Sequence, residues 1–155
     1  MVTMKNITSF LLLLLLISAC SKQLTPTAET TYLTYKDGVL NVRSTGYCLL
    51  KDYKDQCIDA AQQNAFQTLF YRGIPGSQQN TPLIGIDEKE KNANEKFMKD
   101  FFTSGRYKTF IVSSTPVSEL NKLRKQKKIT IDIGINLASL RKELEHNNAI
   151  PKFGY

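Results

Sequence analysis

Ile129-Thr130-Ile131-Asp132-Ile133-Gly134-Ile135 alternates without a break, with isoleucine at every odd position. Side chains alternate faces along a strand, so the four isoleucines share one side and Thr130, Asp132 and Gly134 the other. The stretch therefore reads as a strand with one apolar face. Immediately after it, Asn136 is a helix cap, and Leu137, Leu140 and Leu144 form the buried edge of a helix running to about His146. The following Ile150-Pro151-Lys152-Phe153-Gly154-Tyr155 is apolar enough to dock back on the body.

Before the isoleucine strand, Lys108–Val117 is rich in Thr, Ile, Val and Ser and is expected to be its neighbour in the chain. The intervening Glu119–Lys128 contains Leu120 and Leu123 and reads either as a short helix or as the extension of a long hairpin. Further upstream, Glu88–Thr103 is expected to be a helix capped by Asp87 and ended by Gly105, with Phe97, Phe101 and Phe102 on its apolar face.

Periodicity also predicts a helix from Asp52 to Tyr71. Tyr53, Cys57, Ala60, Ala61, Ala65 and Leu69, with Phe66 and Phe70 beside them, recur at three- and four-residue spacing. Its alanines let a helix approach a sheet closely. Asp52 or Lys51 is the expected cap, and Gly73 follows the end. Two further strands, Tyr32–Tyr35 and Val39–Tyr47, flank the turn residues Lys36-Asp37-Gly38. Leu40 and Val42 lie on the opposite parity from Val39, and Gly46 marks a bulge or a close backbone approach. The order β-β-α-α-β-β-α implies an α+β fold, with an antiparallel sheet of about four strands packed by about three helices.

The loop from Gly73 to about Ile86 is long for a compact domain, a length often associated with function. Ile74, Leu83 and Ile84 are expected to pin it down. Gly73 and Gly76 do not make a phosphate loop, because they follow a helix and lack a Gly-Lys-Ser/Thr ending.

At the other end of the chain, Lys5 precedes an apolar run from about Ile7 to Ile17, and small residues follow. That is the order of a secretory signal. The run is about 11 residues long against the roughly 20 of a spanning helix. Ile17-Ser18-Ala19-Cys20 resembles the lipobox of bacterial lipoproteins at all four positions. The resemblance implies removal of residues 1–19 and lipidation of Cys20, whose thiolate is the nucleophile toward the lipid donor. Several acyl chains together make anchoring stable where one alone is marginal. Ser21 resembles the residue found after the cysteine in lipoproteins sorted to the outer membrane, which is favoured here over the inner.

Cleavage leaves 136 of 155 residues, one domain's worth. Residues 20–31 read as lipid anchor and flexible tether, and residues 32–155 as a single domain. The full chain carries a formal charge of +7, which favours anionic neighbours. In an envelope these are lipid headgroups, lipopolysaccharide or acidic proteins, and not nucleic acid. Lys122, Arg124, Lys125, Lys127 and Lys128 concentrate that charge. They form either a surface for an anionic partner or a solvated hairpin tip protected from edge pairing by its lysines.

Cys48 and Cys57 stand in a compartment that permits disulfides, and two readings apply: a bridge, or two buried free thiols acting as small hydrophobes. Asp52, Asp55 and Asp59 fall on about one helical face, where the competing lysines 51 and 54 favour a solvated surface over a cation site. With His146 as the one histidine and no Gly-x-Ser-x-Gly, the common zinc and serine-hydrolase chemistries lack their parts. No catalytic residue, metal site or cofactor is assigned beyond the lipid on Cys20.

The Cys57-Ile58-Asp59-Ala60-Ala61 to Ala65 helix, placed after a Gly46-bearing strand, resembles a small lipoprotein group. Its members share an alanine-rich helix pattern with the N-terminal domain of flagellar assembly protein T. Arg72-Gly73-Ile74-Pro75-Gly76 also resembles uncharacterised lipoproteins of the Bacteroidota. Both resemblances imply an envelope domain that works by association, as an assembly or secretion accessory. Arg72, Gly73, Ile74 and Pro75, together with the basic segment, are its expected contact surfaces. An enzyme or enzyme inhibitor acting on peptidoglycan or glycan, and a structural spacer, are the alternative classes. Paired carboxylates in a cleft would mark the enzyme.

Overall fold

Asp37 and Gly38 both take positive φ, 51° and 78°, in the two-residue turn joining β1 (Thr30–Lys36) to β2 (Val39–Leu49). Two left-handed residues in a two-residue loop match the right-handed twist of the strands on either side. The computed structural model describes residues 29–84, 88–118, 120–123 and 126–152, with the side chains of 88–93 left aside. Residues 1–28, Gly85, Ile86, Asp87, Glu119, Arg124, Lys125 and the tail from Phe153 lie outside the described residues. β1 extends two residues into the expected tether, with Thr30 opposite Ser44 and Thr31 opposite Arg43.

The chain continues through α1 (Lys54–Tyr71), α2 (Glu88–Thr103), a 3-10 helix (Arg106–Phe110), β3 (Ile111–Pro116), β4 (Asn121–Lys122), β5 (Gln126–Asn136) and α3 (Leu137–His146). The antiparallel sheet has the order β1-β2-β5-β3, and the two-residue β4 also pairs with β5, making five strands where the sequence suggested about four. Within Glu119–Lys128 the described residues favour the hairpin, Asn121 pairing with Lys128 and Lys122 with Lys127, and the isoleucine strand is longer than its alternating core.

Register fixes the two faces. Leu40 lies opposite Ile135, Val42 opposite Ile133, Ser44 opposite Ile131 and Gly46 opposite Ile129. All eight are buried beneath the helices. Arg43 and Asp132, paired on the other face, form a bidentate ion pair at 2.7 and 2.9 Å. The parity expected for Leu40, Val42 and the isoleucines is therefore the observed one. Each fully buried isoleucine contributes roughly 1.5–3 kcal/mol relative to exposure.

The helical core divides in two. Leu40, Val42, Ile133 and Ile135 belong to a large cluster with Phe66, Phe70, Phe101, Tyr107, Ile74, Ile84 and the three α3 leucines. Ile129 and Ile131 belong to a small one with Cys57 and Ala61, flanked by Cys48, Ile58 and Leu120. α1 spans both clusters. Over the small cluster it approaches so closely that a Cβ on Gly46 would stand 2.4 Å from the Ala61 nitrogen and 2.6 Å from the Cys57 carbonyl oxygen. Gly46 is thus the site of close backbone approach, and Ala61 is the small residue that permits it.

Two local expectations are corrected and a third holds. Asp52 does not cap α1; the helix begins at Lys54, with the Gln56 side chain accepting from the Tyr53 N–H at 2.8 Å. The Asp52 carboxylate accepts from the Leu49 N–H at 2.6 Å and closes the preceding turn. Lys108–Val117 is a strand only from Ile111, because Arg106–Phe110 winds into a 3-10 turn. Three residues per turn place Tyr107 and Phe110 on one side, where both are buried, whereas a strand would set them on opposite faces. Asn136 caps α3 as expected, its Oδ1 accepting from Ser139 N–H at 3.0 Å.

Candidate functional site

The loop after α1 is held down before it presents anything. Gly73, at φ 73°, lies so close to Asn80 that a Cβ would come within 2.5 Å of its carbonyl oxygen. Ile74 is fully buried, and its N–H donates to the Gln79 carbonyl at 2.7 Å. Ser77 Oγ donates to the Ile74 carbonyl at 2.7 Å and accepts from Gln79 N–H at 3.0 Å. Leu83 and Ile84 then donate to the carbonyls of Leu69 and Phe70, tying the loop to the end of α1. The expected pinning residues thus do pin it. Gly73 and Ile74, expected at a contact surface, are internal supports, while Arg72 and Pro75 are exposed.

Gln79 is the centre of this arrangement. It is 4% exposed, its Nε2 donates to the Thr81 carbonyl at 2.5 Å, and its Oε1 accepts from Arg141 Nη2 of α3. A buried amide needs its hydrogen bonds, so Gln79 fixes the loop against α3. Between them opens a groove of about 400 Å³, lined by Gln78, Thr81, Pro82 and Leu83 on one side and Arg141, Ile150, Pro151 and Lys152 on the other. Its volume lies within the range of small-ligand and peptide-segment sites. Among the described residues the lining is apolar and amide, with two basic side chains and no carboxylate.

Neither Gln79 nor Arg141 was singled out by sequence. The available signal was faint: a glutamine inside a turn-rich loop and an arginine beside the leucine stripe of the last helix. Of the tail expected to dock, Ile150 is buried, Pro151 and Lys152 are exposed, and residues 153–155 lie outside the described residues; just before it Ala149 is buried, its carbonyl accepting from the Asn94 amide at 3.0 Å.

The basic segment lies elsewhere. Lys122 is exposed, while Lys127 and Lys128 are half-buried at the far end of β5. Lys127 Nζ donates to the Asp52 carbonyl at 2.5 Å. Arg124 and Lys125 lie outside the described residues. The two expected contact surfaces therefore belong to opposite ends of the sheet, the groove with the large cluster and the lysines with the small one.

Cys48 and Cys57 are bridged, with Cα atoms 5.2 Å apart, joining the end of β2 to the first turns of α1. The acidic residues of that helix do not converge. Asp59 faces the 3-10 helix, where Lys108 Nζ lies 2.5 Å away, the Tyr107 hydroxyl donates to it, and Gln63 donates at 2.9 Å. Burial pushes the Asp59 carboxyl up, but Lys108, Tyr107 and Gln63 outweigh it and leave its pKa below the ordinary aspartate value. Burial, reinforced by Asp59, pushes the Tyr107 phenol well above its ordinary pKa.

The remaining carboxylates with described ion pairs also stand apart, Asp132 with Arg43 and Glu143 with Arg106. Among the described residues no three His, Cys, Asp or Glu side chains group as a metal site, and no helix is long and apolar enough to cross a membrane. Compared with protein-family models, curated proteins and solved structures, the chain matches none of them.

Proposed function

We propose that this chain is a lipid-anchored envelope protein, held by acyl chains on Cys20 in the outer membrane, that works by binding another envelope component and not by catalysis. The observation that carries the binding reading is the loop–α3 groove, pre-formed by Gly73, Ile74 and Gln79 and lined by proline, leucine, isoleucine and amide groups with basic side chains at its edge. Such a lining suits an extended segment of a partner protein that carries apolar side chains and a carboxylate. The separation of Asp59, Asp132 and Glu143 into distinct ion pairs supports association over carboxylate-pair glycan hydrolysis.

The test has two arms. Mass analysis of the Cys20 peptide from purified envelopes reads the anchor, with a diacylglyceryl-modified, N-acylated cysteine as the expected species. A photo-cross-linking residue at Leu83 or Pro151 of the lipidated protein reads the groove. One discrete adduct, lost in Lys152→Glu, is expected. Unmodified Cys20 overturns the anchor, and adducts indifferent to Lys152→Glu overturn the groove as the binding site.

A further inference from the structure

The end of the molecule opposite the groove combines exposed apolar side chains with lysines. Leu49 is 56% exposed, Leu50 46%, Tyr53 79% and Leu123 44%. They share one end of the sheet. Leu49 lies opposite Gln126 in the β2–β5 register, Leu123 N–H donates to the Gln126 carbonyl at 2.7 Å, and the Leu49–Asp52 turn brings Leu50 and Tyr53 alongside. The Cys48–Cys57 bridge closes the base of that turn. Around it stand Lys51, Lys54, Lys122 and Lys128, against Asp55 and Asp52, whose carboxylate is engaged with the Leu49 N–H.

The direction of the chain adds a second observation. Thr45 N–H donates to the Glu29 carbonyl at 2.9 Å, and Thr30 pairs with Ser44, so the polypeptide before Glu29 enters the sheet from the lysine-bearing end. The ten residue steps from Cys20 to Thr30 span at most about 35 Å fully extended and roughly 16–19 Å as a coil. From Thr45 to Leu49 is about 13 Å of strand, within that coil length. Turning the Asp37-Gly38 end to the bilayer would instead make the tether run back about 23 Å along β1 before meeting the surface.

We infer that the Leu49-Leu50-Tyr53-Leu123 end, with Lys51, Lys122 and Lys128, docks on the surface of an anionic lipid bilayer. Leucines enter the headgroup boundary, the tyrosine ring sits at the interface, and lysines extend to anionic headgroups. The domain then stands with its groove turned away from the membrane, toward the aqueous space where a partner segment is found. The tether part of this argument rests on the proposed lipidation of Cys20; the amphipathic face does not.

The chain contains no tryptophan, so one introduced at Leu50 is a single reporter. The lipidated protein carrying Leu50→Trp is reconstituted into vesicles with brominated acyl chains, either all phosphatidylcholine or with 30% phosphatidylglycerol, and compared with Lys142→Trp on exposed α3. Expected is strong bromine quenching of Leu50→Trp in the anionic vesicles, little for Lys142→Trp, and at least a severalfold loss of quenching when Lys51, Lys122 and Lys128 are all reversed to glutamate. Equal quenching of the two reporters overturns the docking face. Equal quenching of Leu50→Trp with and without phosphatidylglycerol overturns its anionic selectivity. An intact Cys48–Cys57 bridge by mass and unchanged far-UV circular dichroism qualify each variant as folded. Mass of the Cys20 peptide in the same preparation separates failure of the anchor from failure of the face, because soluble protein with unmodified Cys20 still partitions onto the anionic vesicles through a functioning face.

Discussion

The two halves of the sheet are stabilised in different ways. At the Asp37-Gly38 half, Leu40, Val42, Ile133 and Ile135 meet large side chains. Phe66 packs against Phe101 and Tyr107 at ring-centroid distances of 6.2 and 5.5 Å, and Phe101 stacks on Phe110 at 5.9 Å. At the lysine half, Ile129 and Ile131 meet Ala61, Cys57 and the glycine backbone at position 46, and a disulfide closes the end. The first half is held by volume, the second by closeness and a covalent bond. A domain this small can be stable with a limited core at one end if a crosslink reduces the entropy of the unfolded chain.

The contrast is broken most directly in the large cluster. Phe66→Ala removes the ring shared by these contacts and is expected to cost about 4 kcal/mol in urea unfolding, within the range for deleting a buried phenylalanine. In the small cluster the damaging change is an addition. Gly46→Ala forces α1 off the sheet and is expected to cost about 3 kcal/mol, whereas Ala60→Gly, on a half-buried position of the same helix, is expected to cost about 1 kcal/mol, mostly as lost helix propensity. If Gly46→Ala is neutral, the close approach is not what holds this half.

Next comes the bridge. The cysteines are nine apart in sequence, and replacing both by alanine is expected to lower stability by about 2.5 kcal/mol in the loop-entropy account. The expected signature is faster hydrogen exchange in α1 near Cys57 with the aromatic half protected. Uniform loss of protection throughout would show that the halves unfold as one.

The smaller effects concern the clamp between α1 and the 3-10 helix. Asp59 has a lowered pKa, so its contribution is present above the ordinary aspartate pKa of about 3.9 and is lost as pH falls through the folded value. Tyr107 is raised, so its contribution is complete below about 10 and is lost as pH rises toward its folded value. Asp59→Asn is expected to flatten the acid limb, and Tyr107→Phe the alkaline limb, of stability measured against pH. Each is expected to cost about 1 kcal/mol at neutral pH. Arg43→Ala on the solvated face should leave the thermal midpoint unchanged within error, since exposed ion pairs contribute little.

How much of this was legible depended on whether a pattern was local. Four isoleucines at period two announced β5 and its buried face. Asp37-Gly38 announced the hairpin, and the Phe97, Phe101 and Phe102 spacing announced α2. Lys108–Phe110 misled, because in sequence they read as the start of a β-rich run, and only the shared burial of Tyr107 and Phe110 against α1 and α2 selects the 3-10 turn. Asp52 misled similarly, since a capping residue and a turn-closing residue have the same chemistry. The groove was half visible. Its loop was marked by Gly73, Ile74, Leu83 and Ile84, but Arg141, Gln79 and Ile150 converge from segments 62 and 71 residues apart.

By itself the sequence determined the order of the main strands and helices, the parity of β2 and β5 and a special backbone role for Gly46, because each depends on residues within a turn or a few strand positions of one another. The tertiary structure alone decided that Cys48 meets Cys57, that Asp59 is clamped to Lys108 and Tyr107, and that the basic segment and the Gly73 loop lie at opposite ends. Those facts follow from strand register and from the path of α1 across two unequal hydrophobic clusters, which are set by side-chain volumes summed over distant parts of the chain.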